Sequence, residues 1–120
     1  MERVIFINHK NKDIIIIDLS QTTTNEQQVE IVNQAEKMLN TCPFNSARSL
    51  IDYTDARCDM ISVESSKNIS ANVAPYLKAS AVLGIGGLKR TFLRCVVGII
   101  GRNIRPFDNI ETAKDWLAEQ

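Results

Sequence analysis

The sequence predicts one α/β domain over residues 1–120, with a mixed, mostly parallel sheet of about five strands covered by about four helices. Two observations lead to this prediction. Apolar, β-branched runs alternate with segments of helical period in the order ββαβαβαβα, which is typical of a sheet with helical crossovers. The length of 120 residues is that of one ordinary domain, and no repeat, linker or low-complexity segment divides the chain.

The first half of the chain predicts a hairpin, a helix and a third strand. The runs RVIFIN (3–8) and DIIIIDLS (13–20), separated by the polar HKNK, predict two antiparallel strands. The second run is apolar at consecutive positions, as in a strand covered on both faces. A helix at 22–40 and a short strand, RSLIDYTD (48–55), follow. The predicted helix caps pair Thr23 with Glu26 and Thr24 with Gln27, and the predicted buried stripe is Val29, Val32, Ala35, Met38 and Leu39.

The second half predicts three helices and two strands. Ser62 caps a helix that Pro75 ends, and KASAVLGI (78–85) is a buried strand. A third helix covers 86–101, and RNIRPF (102–107) is a short last strand. The final helix lies within NIETAKDWLAEQ. Its predicted capping pair is Asp108 and Glu111, and its predicted inward residues are Ile110, Ala113, Trp116 and Leu117.

The composition is that of a globular domain, with 44% apolar and 23% charged residues. No apolar run is long enough to predict a transmembrane helix, and the N-terminus lacks the features of a signal peptide. Three cysteines without C-x-x-C spacing favour reduced thiols, so we expect a cytoplasmic location.

The net charge of zero conceals an uneven distribution, because no acid occurs between Glu64 and Asp108. An anionic partner would approach this acid-free segment most readily. Its bases are Lys67, Lys78, Lys89, Arg90, Arg94, Arg102 and Arg105. Aromatic residues do not alternate with these bases as they do in single-stranded nucleic-acid binders, so we expect no nucleic-acid partner.

The stretch AVLGIGGLKRTFLR (81–94) runs from a predicted strand through three glycines into a predicted helix. One interpretation is a tight strand-to-helix turn that happens to be basic. The other is an anion site at the start of the helix, formed by Gly86, Gly87, Lys89 and Arg90. The spacing matches neither G-x-x-x-x-G-K-[ST] nor G-x-G-x-x-G, so no nucleotide cofactor is predicted.

The helix that follows has an unusually wide apolar arc of roughly 200°, whereas a helix on one sheet needs only about 100°. Either the helix is wedged between its neighbours, or part of the arc is an exposed strip beside arginines. Such a strip would suit a partner protein, a homodimer, an acyl chain or an anionic lipid surface. The predicted contact residues are Leu93, Arg94, Val97 and Ile100.

Enzymatic chemistry has little support in the sequence. Asp52 and Asp55 follow a strand without a second group of ligands, so an Asx turn is the better interpretation and no metal site is predicted. His9, the only histidine, falls near the hairpin turn. No serine or cysteine stands in a recognisable nucleophile motif, so no catalytic residue and no cofactor are predicted.

The succession DIIIIDLS, ARSLIDYTDA, KASAVLGIGGLKR and GRNIRPFDNIETAKDWL resembles the SpoIIAA-like branch of the STAS family, also described as STAS/SEC14 domain proteins. The most specific portions are LIDYTDA and RPFDNIETAKDWL. The resemblance covers nearly the whole chain. It implies a compact STAS-like domain that serves as a regulatory or ligand-binding module rather than an enzyme.

Family members that act as anti-sigma antagonists carry a phosphorylatable serine in a D-S-S-G-like turn, and this chain has DARCDMISVES there. The nearest candidate is Ser62, whose simpler role is a helix cap, so phosphorylation is not expected. We therefore expect a non-enzymatic interaction module that works through a partner or homodimer. The alternative is a small-ligand, lipid or anion-binding domain that uses the third-helix groove and the basic turn.

Overall fold

The computed structural model describes residues 3–55, 74–84 and 104–120. Within these ranges the chain forms five strands and two α-helices. They are β1 (Val4–His9), β2 (Lys12–Asp18), α1 (Asn25–Leu39), β3 (Ala47–Asp52), β4 (Leu77–Leu83), β5 (Ile104–Phe107) and α2 (Ile110–Ala118), with a 3₁₀ turn at Ala74–Tyr76. The two other predicted helices, the one capped by Ser62 and the one over 86–101, lie outside the described residues.

The strands form one sheet in the order β1-β2-β3-β4-β5. β1 and β2 are antiparallel, whereas the pairs β2–β3, β3–β4 and β4–β5 are parallel. This arrangement confirms the predicted mixed, mostly parallel sheet. The parallel strands β2 and β3 are joined by α1, as parallel pairing requires a long crossover.

A two-residue turn joins β1 to β2. His9 pairs with Lys12, and the intervening Lys10 and Asn11 have φ values of 51° and 66°. Positive φ at both central residues is the signature of a type I′ turn, whose twist matches that of the flanking strands. The polar HKNK stretch therefore sets the hairpin register.

The core is divided between the two faces of the sheet. Helix α1 covers one face, which we call the α1 face, and α2 covers the other, the α2 face. The α1 face buries Ile15 and Ile17, while the α2 face buries Ile14 and Leu50. Because side chains alternate along a strand, the consecutive buried isoleucines of β2 serve both layers, as their apolar run predicted.

Helix α1 begins with one of the two capping boxes that the sequence predicts. The Thr24 side chain accepts a hydrogen bond from the Gln27 backbone N–H, and Gln27 Oε1 accepts one from the Thr24 backbone N–H. The predicted stripe needs a correction, because Ile31 is buried and Val29 is only half-buried and absent from the core cluster. Tertiary packing rotated the inward face towards Ile31.

The cap predicted for the last helix was wrong by one residue. Asn109, not Asp108, is the N-cap, with φ −136° and ψ 133°, and its Oδ1 accepts hydrogen bonds from the backbone N–H groups of Glu111 and Thr112. The helix starts at Ile110, so Asp108 is too far from the first turn to cap it. Ile110 was predicted to face inward but is 43% exposed.

Candidate functional site

Four parallel strands, β2 to β5, end at the same edge of the sheet, which we call the carboxyl edge. Ligands of open α/β sheets bind outside this edge, which makes it the first candidate for a binding site. β2 ends at Asp18, β3 at Asp52 and β4 at Leu83. The Gly84 residue that opens the basic glycine turn follows β4 directly.

The polar groups at the end of β2 are occupied within the chain. Asp18 Oδ1 accepts hydrogen bonds from the backbone N–H and the hydroxyl of Ser20. The Arg3 guanidinium lies 4.0 Å from the Asp18 carboxylate and donates to the Ser20 carbonyl at 2.7 Å. These contacts hold the exit of β2 against the start of β1.

The exits of β2 and β3 are also joined through the backbone. Leu19 N–H donates to the Asp52 carbonyl and Gln21 N–H to the Thr54 carbonyl, each at 2.9 Å. Asp52 Oδ1 accepts from the Thr54 N–H at 2.9 Å, which confirms the predicted Asx turn. The Asp52 carboxylate therefore shapes the loop instead of standing free for acid–base chemistry.

Gly84 packs directly against the exit of β3. Its φ is +75°, and a Cβ built on it would lie 2.5 Å from the backbone nitrogen of Thr54. The neighbouring Tyr53 N–H donates to the Leu83 carbonyl at 2.9 Å. Only glycine fits here, so the first glycine of the turn has a structural role.

The residues predicted to carry function lie outside the described part of the chain. They are the anion-site candidates Gly86, Gly87, Lys89 and Arg90, the contact candidates Leu93, Arg94, Val97 and Ile100, and Ser62. The described residues bring Gly84 to the carboxyl edge beside Thr54, so the chain enters the glycine turn at this edge.

A charged cluster that the sequence did not reveal joins the hairpin to α2. His9 Nε2 lies 2.8 Å from Asp115 Oδ1, and Lys10 Nζ lies 3.0 Å from the same oxygen. The hairpin and α2 are 106 residues apart along the chain, so no local pattern could place them together. Among the described residues, no group of three potential ligands could hold a metal ion.

His9 first, and then Lys10, hold the pKa of Asp115 below its ordinary value of 3.8 through hydrogen bonds to the carboxylate. Because the folded-state pKa is lowered, the cluster stabilises the fold above pH 3.8 and loses this contribution as the pH falls through the lowered pKa. We expect an NMR titration of the Asp115 carboxyl carbon to give a midpoint below 3.8. His9→Gln should raise that midpoint. Lys114→Ala should leave it nearly unchanged, because the Lys114 ammonium pairs with Glu111 and not with Asp115. A wild-type midpoint at or above 3.8 would contradict the assignment.

A surface groove of about 660 Å³ lies between β1 and α1. Val4, Ile31 and Met38 give it an apolar floor, and Arg3 and Lys37 are among its charged lining residues. Beyond the groove, β1 leaves Ile5 and Phe6 39% and 43% exposed. The apolar run RVIFIN contained the signal for this surface, but it predicted a strand without showing that the strand is at an edge.

The architecture defines the class of this protein. Its described residues form an α/β domain in which a five-stranded mixed sheet carries a helix on each face. No family model matches the sequence, and no curated protein sequence matches it.

Among solved structures, the fold is similar to the 2.25 Å crystal structure of an uncharacterised protein of the DUF3478 family, with a SpoIIAA-like fold, from Shewanella loihica PV-4. The TM-score is 0.73 at 16% sequence identity, and the match covers 95% of this chain and 91% of that one. The chain therefore has the STAS/SpoIIAA-like fold that its sequence resemblance implied. No described helix is long and apolar enough to cross a membrane.

Proposed function

We propose that this domain is a non-enzymatic, cytoplasmic regulatory or protein-interaction module that acts by contacting a protein partner or a second copy of itself. The observation that supports it most directly is the exposure of Ile5 and Phe6 at the edge of the sheet, where these consecutive residues of β1 point to its two opposite faces. Large apolar side chains that stay exposed along one edge of a sheet mark a site of interaction with another chain.

The polar groups of the described residues fit the same proposal. The Asp18 and Asp52 carboxylates accept hydrogen bonds from the loops that follow them, and the His9 ring contacts Asp115. These are the interactions of residues that maintain a fold. A general base, by contrast, needs its acceptor within reach of a substrate proton.

The wide apolar arc of the predicted third helix offers a second contact surface, and Val97 lies on the part that a single sheet would not cover. If the arc is exposed, Val97→Asp should weaken self-association by about tenfold or more while leaving the unfolding transition nearly unchanged. Sedimentation equilibrium and urea unfolding measure the two effects.

Leu50→Asp is the matched control, because Leu50 is fully buried and an aspartate there should unfold the domain. If Val97→Asp behaves like Leu50→Asp, Val97 belongs to the core and this contact surface is excluded.

The second candidate function is binding of an anionic small ligand or lipid surface by the same helix and the basic turn. The position of Gly84 favours it, since the glycine turn leaves the sheet at the edge where ligands of open α/β sheets bind. Flotation of the protein with anionic vesicles, compared with neutral ones, separates this function from self-association. Lys89→Ala/Arg90→Ala should reduce flotation, and the exposed Lys78→Ala is the control.

A further inference from the structure

The two edges of the sheet differ in how they are protected. β5 has four residues and contains Pro106, which has no N–H and blunts an edge against further pairing. β1 has six residues, Val4–His9, and neither a proline nor a Lys, Arg, Asp or Glu interrupts it. Long, apolar, unblocked edges are templates for another strand.

The hairpin determines which backbone groups of β1 face outwards. In a two-residue type I′ hairpin the residues that flank the turn, here His9 and Lys12, form a hydrogen-bonded pair, and such pairs then alternate along the strands. The hydrogen bond from Asp18 N–H to the Arg3 carbonyl, 2.8 Å long, lies on the same alternation. The residues whose N–H and C=O point to the open edge are therefore Val4, Phe6 and Asn8.

No other segment of the described chain hydrogen-bonds to these outward groups. Of the four large apolar side chains that the described residues leave exposed, two, Ile5 and Phe6, are consecutive on this strand. Exposed apolar side chains and unpaired backbone groups thus coincide at one edge, as expected of a surface that is covered by another strand.

We propose that β1 pairs antiparallel with β1 of a second copy, about a two-fold axis at Phe6, to form a continuous sheet across the dimer. This inference rests on the proposed function, because it specifies the second copy as the partner and β1 as its contact. The two-fold pairs Val4 with Asn8 and Phe6 with its own counterpart, so every outward backbone group of these residues gains a partner. A two-fold axis at Ile5 or Ile7 would leave some of these outward backbone groups without a partner at the ends of the strands.

The side chains agree with this register. On the α2 face it sets Ile5 of one copy opposite Ile7 of the other, and on the α1 face it brings the two Phe6 rings together. Aromatic and β-branched cross-strand pairs are favourable, and no like charges meet between Val4 and Asn8. This self-complementarity favours a second copy over an unrelated extended segment as the occupant.

The edge contact is small, and we expect a concentration-dependent dimer of modest affinity. Phe6→Pro removes the outward N–H together with the exposed phenyl ring and breaks no hydrogen bond to β2. Proline fits the extended backbone of an edge strand, so the monomer should keep its unfolding transition. Sedimentation equilibrium should show the dimer dissociation constant raised about tenfold or more. Phe6→Lys places like charges across the two-fold and should have the same effect through the side chain. Phe44→Thr, which removes the 71% exposed phenylalanine outside the edge, should not change the constant.

The register has its own readout. In a dimer mixed from isotope-labelled and unlabelled copies, the Hα atoms of Ile5 and Ile7 from different copies should give a strong filtered NOE, because these residues form a pair that lacks hydrogen bonds. A wild-type protein that stays monomeric at millimolar concentration overturns the proposal, as does a dimer without this NOE. A dimer that survives Phe6→Pro but is lost in Val97→Asp also overturns it, while leaving the proposed function in place.

Discussion

Replacing Gly84 with alanine is expected to destabilise the domain by more than about 1–2 kcal/mol, the cost of a left-handed backbone for a residue with a Cβ. The contact with Thr54 adds to this cost, because the new Cβ would lie 2.5 Å from a backbone nitrogen and 2.6 Å from the Thr54 Cα. Backbone atoms cannot move aside as a flexible side chain can, so the exits of β3 and β4 must separate.

Urea unfolding of Gly84→Ala measures the loss, with Lys78→Ala, at an exposed position of the preceding strand β4, as the control. Gly84→Asn separates the two causes, because asparagine tolerates positive φ but still carries the Cβ. A loss equal to that of alanine would assign most of the cost to the Thr54 contact. A Gly84→Ala protein as stable as wild type would contradict the geometry of this turn.

The second large effect is expected at a hydroxyl pair buried between β3 and β4. Ser49 and Ser80 are paired in the sheet register, are 0% and 3% exposed, and have hydroxyl oxygens 2.7 Å apart. Ser49→Ala removes one partner and leaves a buried hydroxyl without it, which costs about 1–3 kcal/mol. Ser80→Ala should cost a similar amount for the same reason.

A double-mutant cycle tests this pair directly. The doubly substituted Ser49→Ala/Ser80→Ala protein should be clearly more stable than the sum of the single losses predicts, because no hydroxyl is then stranded in the core. Ser46→Ala, near the surface, provides the baseline for a serine outside the pair. Strictly additive losses would show that the two hydroxyls stabilise the sheet independently of one another.

The local features of this chain could be predicted because their causes lie within a few residues. The Thr24–Gln27 capping box and the Asx turn at Asp52 depend on side chains that reach backbone groups up to three residues away. The HKNK turn depends on the positive φ of two consecutive residues. The prediction of Asp108 as a cap was wrong by one residue. Asp108 and Asn109 can both cap a helix, and local sequence does not specify the first helical residue that distinguishes them.

Which strand lies at an edge, and which distant groups meet, depended on the tertiary structure. Arg48 illustrates this, since its guanidinium donates to the carbonyls of Leu117 at 3.1 Å and Gln120 at 2.6 Å and so binds the end of α2 to β3. His9 meets Asp115 in the same way.

Alternation, capping and turn chemistry in the sequence by itself determined the strands, the described helices and the α/β class of this domain. The tertiary structure alone decided the order of the strands, the division of the core between two faces and the exposure of β1. The physical reason is that the periodicity of a segment specifies the direction in which each side chain points. Only the packed sheet specifies which other residues that side chain contacts.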